Sequence, residues 1–517
     1  MTRRPVSLAS TATPVTSTVQ RTLVPGEVLA AGVEAPFRRL AEGPGEPHLP
    51  RGGRPDAAEP LARVRLGHLT DLHLADVASP LRLDFVDPAR WSGPVPYAFR
   101  PQELLATRAV TAALETLDAL GVDLVVQTGD AVDNAQRNEV RSYLAAMRGG
   151  RVDPLLGDPD ASPLSSEWPV QRVWQPERPG NAYSERFGLP VIPGLLAEAA
   201  ATHASGGLET PWVAVRGNHD VLVLGTARLG DDFDGIARGA RKPLAGDPHA
   251  HAGLDEYLTG PHAVYAGPAA TIAADEARAL LGPREFAVAH RDDRAGPVAG
   301  HGLASSPDAE RHGRYVADLG DRFRLVAFDT NNHRGMWDGM LAREQLAWVD
   351  DALSAADEDG RLAVLVTHHG SGFLANDYRM CADEIADPDA IVDLLLRRRN
   401  TVAWLNGHHH GNQVRIHPRP GGSGVVEITT AAIADWPCQV REIEIEELPR
   451  SIRITTTMHH AAVGERPGLD TPAELARLHH ELAANELWRG AGRPGALGAD
   501  ADRNVVVTLV HPLARER

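Results

Sequence analysis

Lysine is almost absent from this 517-residue chain: Lys242 is the only one, and the remaining positive charge is arginine. Chemistry running through a lysine amine is therefore all but excluded, because Lys242 lies in a long stretch without regular pattern. Cysteine is nearly as scarce. Cys381 and Cys438 stand far apart and form no metal-spaced pair, which removes a cysteine zinc motif. A single disulfide is one reading of them; two reduced thiols is the expected one. No run of about 20 apolar residues occurs, so no membrane-spanning helix is expected. Positive charge is in deficit, with a formal net charge of −17, and no basic groove interleaved with aromatics stands out. General binding to a nucleic-acid backbone is not expected, and a nuclease is a weaker choice. The start, Met1-Thr2-Arg3-Arg4, invites a twin-arginine export reading. Pro5 to Gln20 is Ser/Thr-rich and lacks the apolar stretch of a signal peptide, so a cytoplasmic location is expected.

What the chain does have is five short blocks rich in oxygen and nitrogen donors. They are Asp71-Leu72-His73, Gly129-Asp130-Ala131-Val132-Asp133-Asn134, Gly217-Asn218-His219-Asp220, His368-His369 and Gly407-His408-His409-His410. Each follows an apolar, β-branched run that reads as a buried strand: Arg65–Thr70, Val122–Thr128, Trp212–Val215, Leu362–Val366 and Val402–Leu405. Asp71 and His73 are two apart, so on extended chain they point to the same side. Gly129 permits a sharp turn that leaves Asp130 at a strand tip. Any one block alone reads as an ordinary turn, since Asn and Asp favour turns. Five in order, each after a strand, place hard ligands along one sheet edge, where open α/β sheets keep their sites.

The order and spacing resemble the calcineurin-like metallophosphoesterase superfamily, whose pattern is Asp-x-His, Gly-Asp-x-x-Asp, Gly-Asn-His-Asp/Glu, a later His, then Gly-His-x-His. All five elements occur unbroken. The stretch Arg324–Thr330, with Gly339 and Gln345–Val349, is similar to the strand and helix before the fourth motif in the bacterial phosphodiesterase-like branch. The resemblance implies an α/β fold, a four-layer α-β-β-α sandwich of two mixed sheets with large loop insertions. It implies that Asp71, His73, Asp130 and His410 ligate one metal and that Asp130, Asn218, His368 and His408 ligate another, Asp130 bridging through its two oxygens. It implies two divalent or mixed-valence transition-metal ions, of which Mn, Fe and Zn suit such donors. Paired ions can clamp the attacking and leaving oxygens and turn a held water or hydroxide into the nucleophile. His219 then faces the substrate, to stabilise phosphate charge or protonate the leaving group, and Asp133 orients it. The family often shows His-His-Pro where this chain has His368-His369-Gly370, which leaves the role of His369 open; His409 fills a variable position.

The expected function is hydrolysis of a small phosphoester, a diester slightly favoured. A phosphomonoesterase or nucleotidase is the alternative on the same site, and a metal-binding scaffold without catalysis is the alternative of another class. Oligomeric state cannot be read. An arginine such as Arg216 or Arg228 aimed into the cleft would shift the preference to monoesters.

The spacing also suggests an organisation. Residues 1–60 read as an extended Pro/Gly-rich arm, 61–445 as the core, and 446–517 as strands and a helix packed on it. Insertions at about 135–210 and 221–320 exceed ordinary connections and would wall the substrate pocket. Most of Trp168, Trp174, Tyr183 and Phe187 are expected to form a small core. His249, His251, His262, His290 and His301 are expected at the surface. Gln102–Leu120 has helical spacing. Pro388–Arg399 reads as a helix capped by Asp387, and 472–488 as one capped at Thr471. Val425–Thr429, Val440–Ile445 and Ile452–Thr456 read as outer strands of the second sheet, and Asn504–Val510 as an added edge.

Overall fold

The computed structural model of the chain describes residues 15–53, 57–84, 99–157, 174–244, 265–291, 298–461, 463–487, 489–492 and 495–513. Each apolar run ahead of a donor block is a strand there. The chain enters a first sheet with β1 (Leu49–Gly52), β2 (Ala62–Leu69), β3 (Leu124–Gln127) and β4 (Trp212–Ala214). It then builds a second sheet from β5 (Tyr315–Leu319), β6 (Phe323–Ala327), β7 (Leu362–Val366), β8 (Thr401–Asn406), β9 (Gln413–Pro418) and β10 (Gly424–Thr429). It returns to the first sheet with β11 (Gln439–Glu447), β12 (Ser451–His460) and β13 (Val505–Val510). The spatial orders are β1-β13-β12-β11-β2-β3-β4 and β5-β6-β7-β8-β10-β9. The strands that precede donor blocks are parallel neighbours, β2-β3-β4 in one sheet and β7-β8 in the other.

Strand β7 shows why such runs lack polar residues. Leu362, Val364 and Val366 point into the core between the sheets, where they meet Val64, Leu66, Val126 and Ile443. Ala363 and Leu365 point the other way, against helices α3 (Arg343–Glu358) and α4 (Ala390–Arg397). Parallel strands covered on both faces have no side left for water, so alternation disappears. The outer face of the first sheet is covered by α1 (Ala106–Leu120) and α2 (Arg137–Arg148) through Val110, Leu114, Leu117 and Met147. The order of layers is therefore helix, sheet, sheet, helix, as expected.

Several local expectations need correction. The helix expected from Pro388 starts at Ala390; Asp387 accepts the Asp389 N–H at 2.9 Å and so caps a turn ahead of it. The last strands divide between the sheets, β10 pairing with β8 but β11 and β12 continuing from β2. Strand β13 lies between β12 and β1 and is not an edge. His290 and His301 are buried: His301 stacks on Trp212 with ring centroids 3.5 Å apart, and His290 packs against Phe286. An aromatic floor shields both rings, and spacing along the chain could not show it. His249, His251, His262 and Trp168 lie outside the described residues.

Residues of the expected arm form a hairpin, Arg21–Ala30 with Phe37–Pro44, besides β1. Phe37 joins Trp174, Tyr183 and Phe187 of the first insertion and Leu475, Leu478 and Leu482 of α5 (Pro472–Ala484) in one apolar cluster. Thr471 caps α5 by accepting the Glu474 N–H. Three distant parts of the chain thus share a core. Trp174 is fully buried at its centre, so Trp174→Ala is expected to cost about 3–5 kcal/mol of stability, read from the urea unfolding midpoint. Cys381 is exposed and Cys438 buried, and both are free thiols.

Candidate active site

The parallel register lines up the strand tips. Leu69 pairs with Gln127 and Gln127 with Ala214 in the first sheet, and Val366 pairs with Leu405 in the second. The blocks that follow emerge side by side. Backbone bonds then join the loops pairwise: Asp71 N–H to Gly129 C=O at 3.0 Å, and Gly407 N–H to His368 C=O at 2.9 Å. The Asp220 carboxylate accepts from Ala131, Val132 and Gly217 N–H groups, tying the second and third blocks together. Two glycines are required by crowding. A Cβ on Gly407 would lie 2.0 Å from Thr70 Oγ1, and one on Gly129, whose φ is +94°, 2.6 Å from His368 Nδ1. Asp71, His73, Asp130, His408 and His410 all adopt positive φ. For residues with a Cβ that costs of order 1–3 kcal/mol each and persists only where surroundings enforce it.

Two groups of donors result. In the first, Asp71, His73, Asp130 and His410 bring one donor atom each within 4.8 Å of one another, all buried. His73 Nε2 and His410 Nε2 are 3.0 Å apart. His410 Nδ1 donates to Asp435 Oδ2 at 2.5 Å, and His73 Nδ1 lies 3.4 Å from Asp133 Oδ1. Asp435 takes up the Nδ1 side of His410, Asp133 stands beside the Nδ1 side of His73, and the two Nε2 atoms face each other. Asp71 Oδ1, 3.3 Å from His410 Nε2, is buried without a hydrogen bond. Two imidazole nitrogens converge here with a carboxylate oxygen, a donor set that could hold a cation.

In the second group, His368 Nδ1 donates to the Thr128 carbonyl at 2.7 Å, which turns Nε2 toward Asn218 Oδ1 at 3.0 Å and Asp130 Oδ2 at 3.3 Å. Asn218 donates through Nδ2 to the Gly225 carbonyl, which commits Oδ1 to the cleft, 3.2 Å from His408 Nδ1. Asp130 lies between the groups. Its Oδ1 accepts the His219 N–H at 2.8 Å, while Oδ2 is 3.3 Å from His368 Nε2 and 3.7 Å from His73 Nε2. One oxygen therefore faces both groups, where the sequence reading had each oxygen facing one.

The remaining block residues stand beside these groups: donor atoms of His219 and Asp133 come within 4.8 Å of His73, and one of His369 within 4.8 Å of His368 and His408. His219 Nδ1 donates to the Asp133 backbone carbonyl at 2.8 Å, leaving Nε2 as the ring's second nitrogen. The Asp133 carboxylate, expected to orient His219, is 3.6 Å from that ring and nearer to His73; Arg82 donates to its other oxygen at 2.7 Å. Burial works against its charge, yet Arg82 and the imidazoles hold this carboxyl well below the usual carboxylate range. His369 is buried with Nδ1 on Thr330 Oγ1 and Nε2 on the Trp337 carbonyl. Burial, reinforced by His368, pushes it down to about 3, so it is neutral, and neither nitrogen is left to ligate. His409 is exposed beside Phe373. Arg216 is buried in an ion pair with Asp329 at 2.9 Å and donates to the Pro283 carbonyl, so it does not reach for a phosphate; Arg228 is exposed.

The sequence model of the calcineurin-like phosphoesterase family matches residues 64–412, a span that takes in all five blocks. The chain belongs to the calcineurin-like phosphoesterase family. Its family depends on dinuclear metal centres, and this phosphoesterase is a hydrolase of phosphoric esters with candidate metal-ligand groups in place. A comparison with curated proteins finds no match. Among solved structures, the phosphoesterase is similar to a dimetal phosphatase from Danio rerio, 12% identical, covering 77% of this chain and 96% of that one at a TM-score of 0.35. It is similar to GAP50, the anchor in the inner membrane complex of Plasmodium, at 9% identity, 76% and 84% coverage and a TM-score of 0.28. A Staphylococcus aureus protein described as a 5'-nucleotidase is 12% identical, with 81% and 58% coverage and a TM-score of 0.29. Among the described residues of the phosphoesterase, no helix is long and apolar enough to cross a membrane.

Asp435 is the residue of this site that sequence reasoning missed. It follows β10, is buried, and holds His410. Burial opposes its charge, but Arg100 and His410 keep the carboxyl well below its usual range. A lone acid after a strand carries no motif, so nothing local distinguishes it.

Proposed function

We propose that this protein hydrolyses small phosphoric esters between the two ligand groups, with a phosphodiester slightly favoured. The observation that carries the reading is Asp130 Oδ2, aimed at imidazole nitrogens of both groups at once. Asp71, His73, Asp130 and His410 would hold one ion, and Asp130, Asn218, His368 and His408 the other. The donors are imidazole nitrogen and amide or carboxylate oxygen, which suits Mn, Fe or Zn. When bound, such a pair supplies charge neutralisation at the phosphoryl oxygens and a low-pKa water.

The chain's own residues then do three things. Asn218, locked by Gly225, keeps its oxygen in the cleft. His219, fixed through Nδ1 by the Asp133 carbonyl, holds Nε2 for the leaving oxygen and passes it a proton. Asp338, a partly exposed carboxylate with Oδ1 3.6 Å from His408 Nε2, puts negative charge at the rim. That charge disfavours a monoester dianion more than a diester monoanion. With Arg216 turned into its pair with Asp329, neither feature favours a free terminal phosphate.

Steady-state hydrolysis of bis-p-nitrophenyl phosphate against p-nitrophenyl phosphate, with Mn(II), Fe(II), Zn(II) or Co(II), tests the proposal. A higher kcat/KM on the diester is expected. A strong preference for the monoester would move the reading to a phosphomonoesterase or nucleotidase, and no turnover of either would leave a scaffold.

Gly225 offers a finer test. A Cβ there would lie 2.2 Å from His219 Cδ2 and 2.5 Å from Asn218 Nδ2, at a φ of +63°. Gly225→Ala is expected to displace both side chains and to lower kcat by about 10²-fold, the usual effect of misplacing reacting groups by about 1 Å. An unchanged kcat would show that the crowding relaxes elsewhere.

A further inference from the structure

The carboxylates behind His73 and His410 are not independent. Asp133, beside His73, accepts from Arg82 Nη1 at 2.7 Å. Arg82 Nη2 donates to Glu103 Oε2 at 2.6 Å, and Glu103 Oε1 accepts from Arg100 Nε at 2.8 Å. Arg100 Nη1 donates to Asp435 Oδ1 at 2.7 Å, and Asp435 Oδ2 holds His410. The ion pairs form a continuous arc of alternating sign from one imidazole to the other. The arc is buried throughout: the side chains of Arg82, Glu103, Asp133 and Asp435 are at most 2% exposed, and that of Arg100 is 11%. Among the described residues, no counterpart backs the second group. His368 leans on a backbone carbonyl, and His408 has the partly exposed Asp338 beside it.

We propose that this arc, with Glu103 as its midpoint, is a clamp that positions His73 and His410 together and sets the affinity of their metal position alone. The inference rests on the reading of those two histidines as ligands. Glu103 and both arginines are positioning residues: none lies within either donor group. The physical case is geometric. An imidazole whose distal nitrogen bonds a carboxylate, as that of His410 does at Asp435, is fixed in rotation and is a better donor at the other nitrogen, and His73 has the Asp133 carboxylate in contact at 3.4 Å. A carboxylate can do this only if it is itself held, and a buried one needs a paired cation. Glu103 shares its two oxygens between the guanidinium groups, so the spacing between the carboxylates behind the two rings passes through it. Its place one helical turn ahead of α1 links that spacing to the first crossover helix. The second insertion reaches the arc as well. Lys242, fully buried, pairs with Asp84 at 2.6 Å, and Asp84 lies 3.5 Å from Arg82 Nε. The chain's single lysine braces the clamp.

The test uses the full-length protein stripped of metal and titrated with Co(II), followed by visible absorbance. The parent is expected to bind two Co(II); if it does not, the ligand reading fails before the clamp is tested. Glu103→Gln keeps the shape and removes the charge, and Arg82→Lys keeps the charge and removes the fork. Each is expected to weaken one Co(II) by about 10–100-fold, the usual effect of losing an outer-shell partner, while the other changes by less than about 2-fold. Equal weakening of both ions would mean general loosening of the scaffold and would overturn the clamp, as would no change in either. Loss of the folded state in both variants, read by circular dichroism, would equally make the arc a part of the scaffold and not a clamp.

Discussion

Asp130→Ala is expected to leave the protein folded but unable to hold either ion, with hydrolysis down by more than about 10³-fold. That exceeds the loss from deleting a single charge-stabilising group, because this carboxylate is shared. Its Oδ2 stands between His368 and His73, so its removal leaves each ligand group one oxygen short. Its Oδ1 also accepts the His219 N–H, so the proposed proton donor loses an anchor as well. The control is His410→Ala, which touches one group only and is expected to weaken one ion. Elemental analysis of the purified variants decides the matter: full metal occupancy in Asp130→Ala would rule out a bridging role.

His219→Ala separates catalysis from metal binding. It is expected to retain both ions and to lose roughly 10²–10⁴-fold in kcat, the usual contribution of a positioned proton donor. The motive is the orientation of the ring: Nδ1 is committed to the Asp133 carbonyl, so although His219 lies within reach of His73 and Asp133, and meets His73 edge to face at 4.5 Å, Nε2 is the nitrogen left for substrate. A substrate whose leaving group needs no proton should suffer much less, so the loss should shrink for p-nitrophenyl esters relative to alkyl esters. Loss of metal from the variant, or unimpaired turnover of an alkyl ester, would show the assignment to be wrong. Asp133→Asn gives a contrasting result under this geometry. Its backbone carbonyl survives, so His219 stays oriented, while the carboxylate beside His73 loses its charge. The variant should lose metal affinity more than it loses turnover at saturating metal.

Much of the site was legible because its parts are local. A strand tip followed by Gly-Asp or Gly-Asn-His-Asp carries its own geometry, because glycine sets where the chain can bend. Asp71 and His73, past the end of β2 and with φ of +53° and +42°, are not on the extended chain expected for them, and alternation does not account for their meeting. The five blocks could be recognised one at a time, and their strands appear where the apolar runs stand. The direction of the Asp133 carboxylate could not be recognised that way. Its distance to His73 or His219 depends on how the loops after β2, β3 and β4 stack, and on Arg82, which arrives from 51 residues earlier. Arg216 is a similar case. Beside a donor block it looked free to meet a phosphate, but Asp329, from the loop after β6, takes its charge. The buried His290 and His301 were hidden for the same reason, since Trp212 and Phe286 cover them from other segments.

The sequence by itself determined where the site's strands run and which donors stand at their ends, because those follow from apolar runs and from donors held within a few residues of a strand; the layered fold and the family came with the resemblance that the five blocks carry. Only the tertiary structure decided which strands share a sheet, that Asp130 faces both ligand groups with one oxygen, and that Asp435, Glu103 and Lys242 belong to the surroundings of the site. The physical reason is range. A turn or a strand is set by neighbours along the chain, whereas a buried charge must find its partner wherever packing brings one, and these partners come from the insertions, from the entry to the first helix and from the segment after β10.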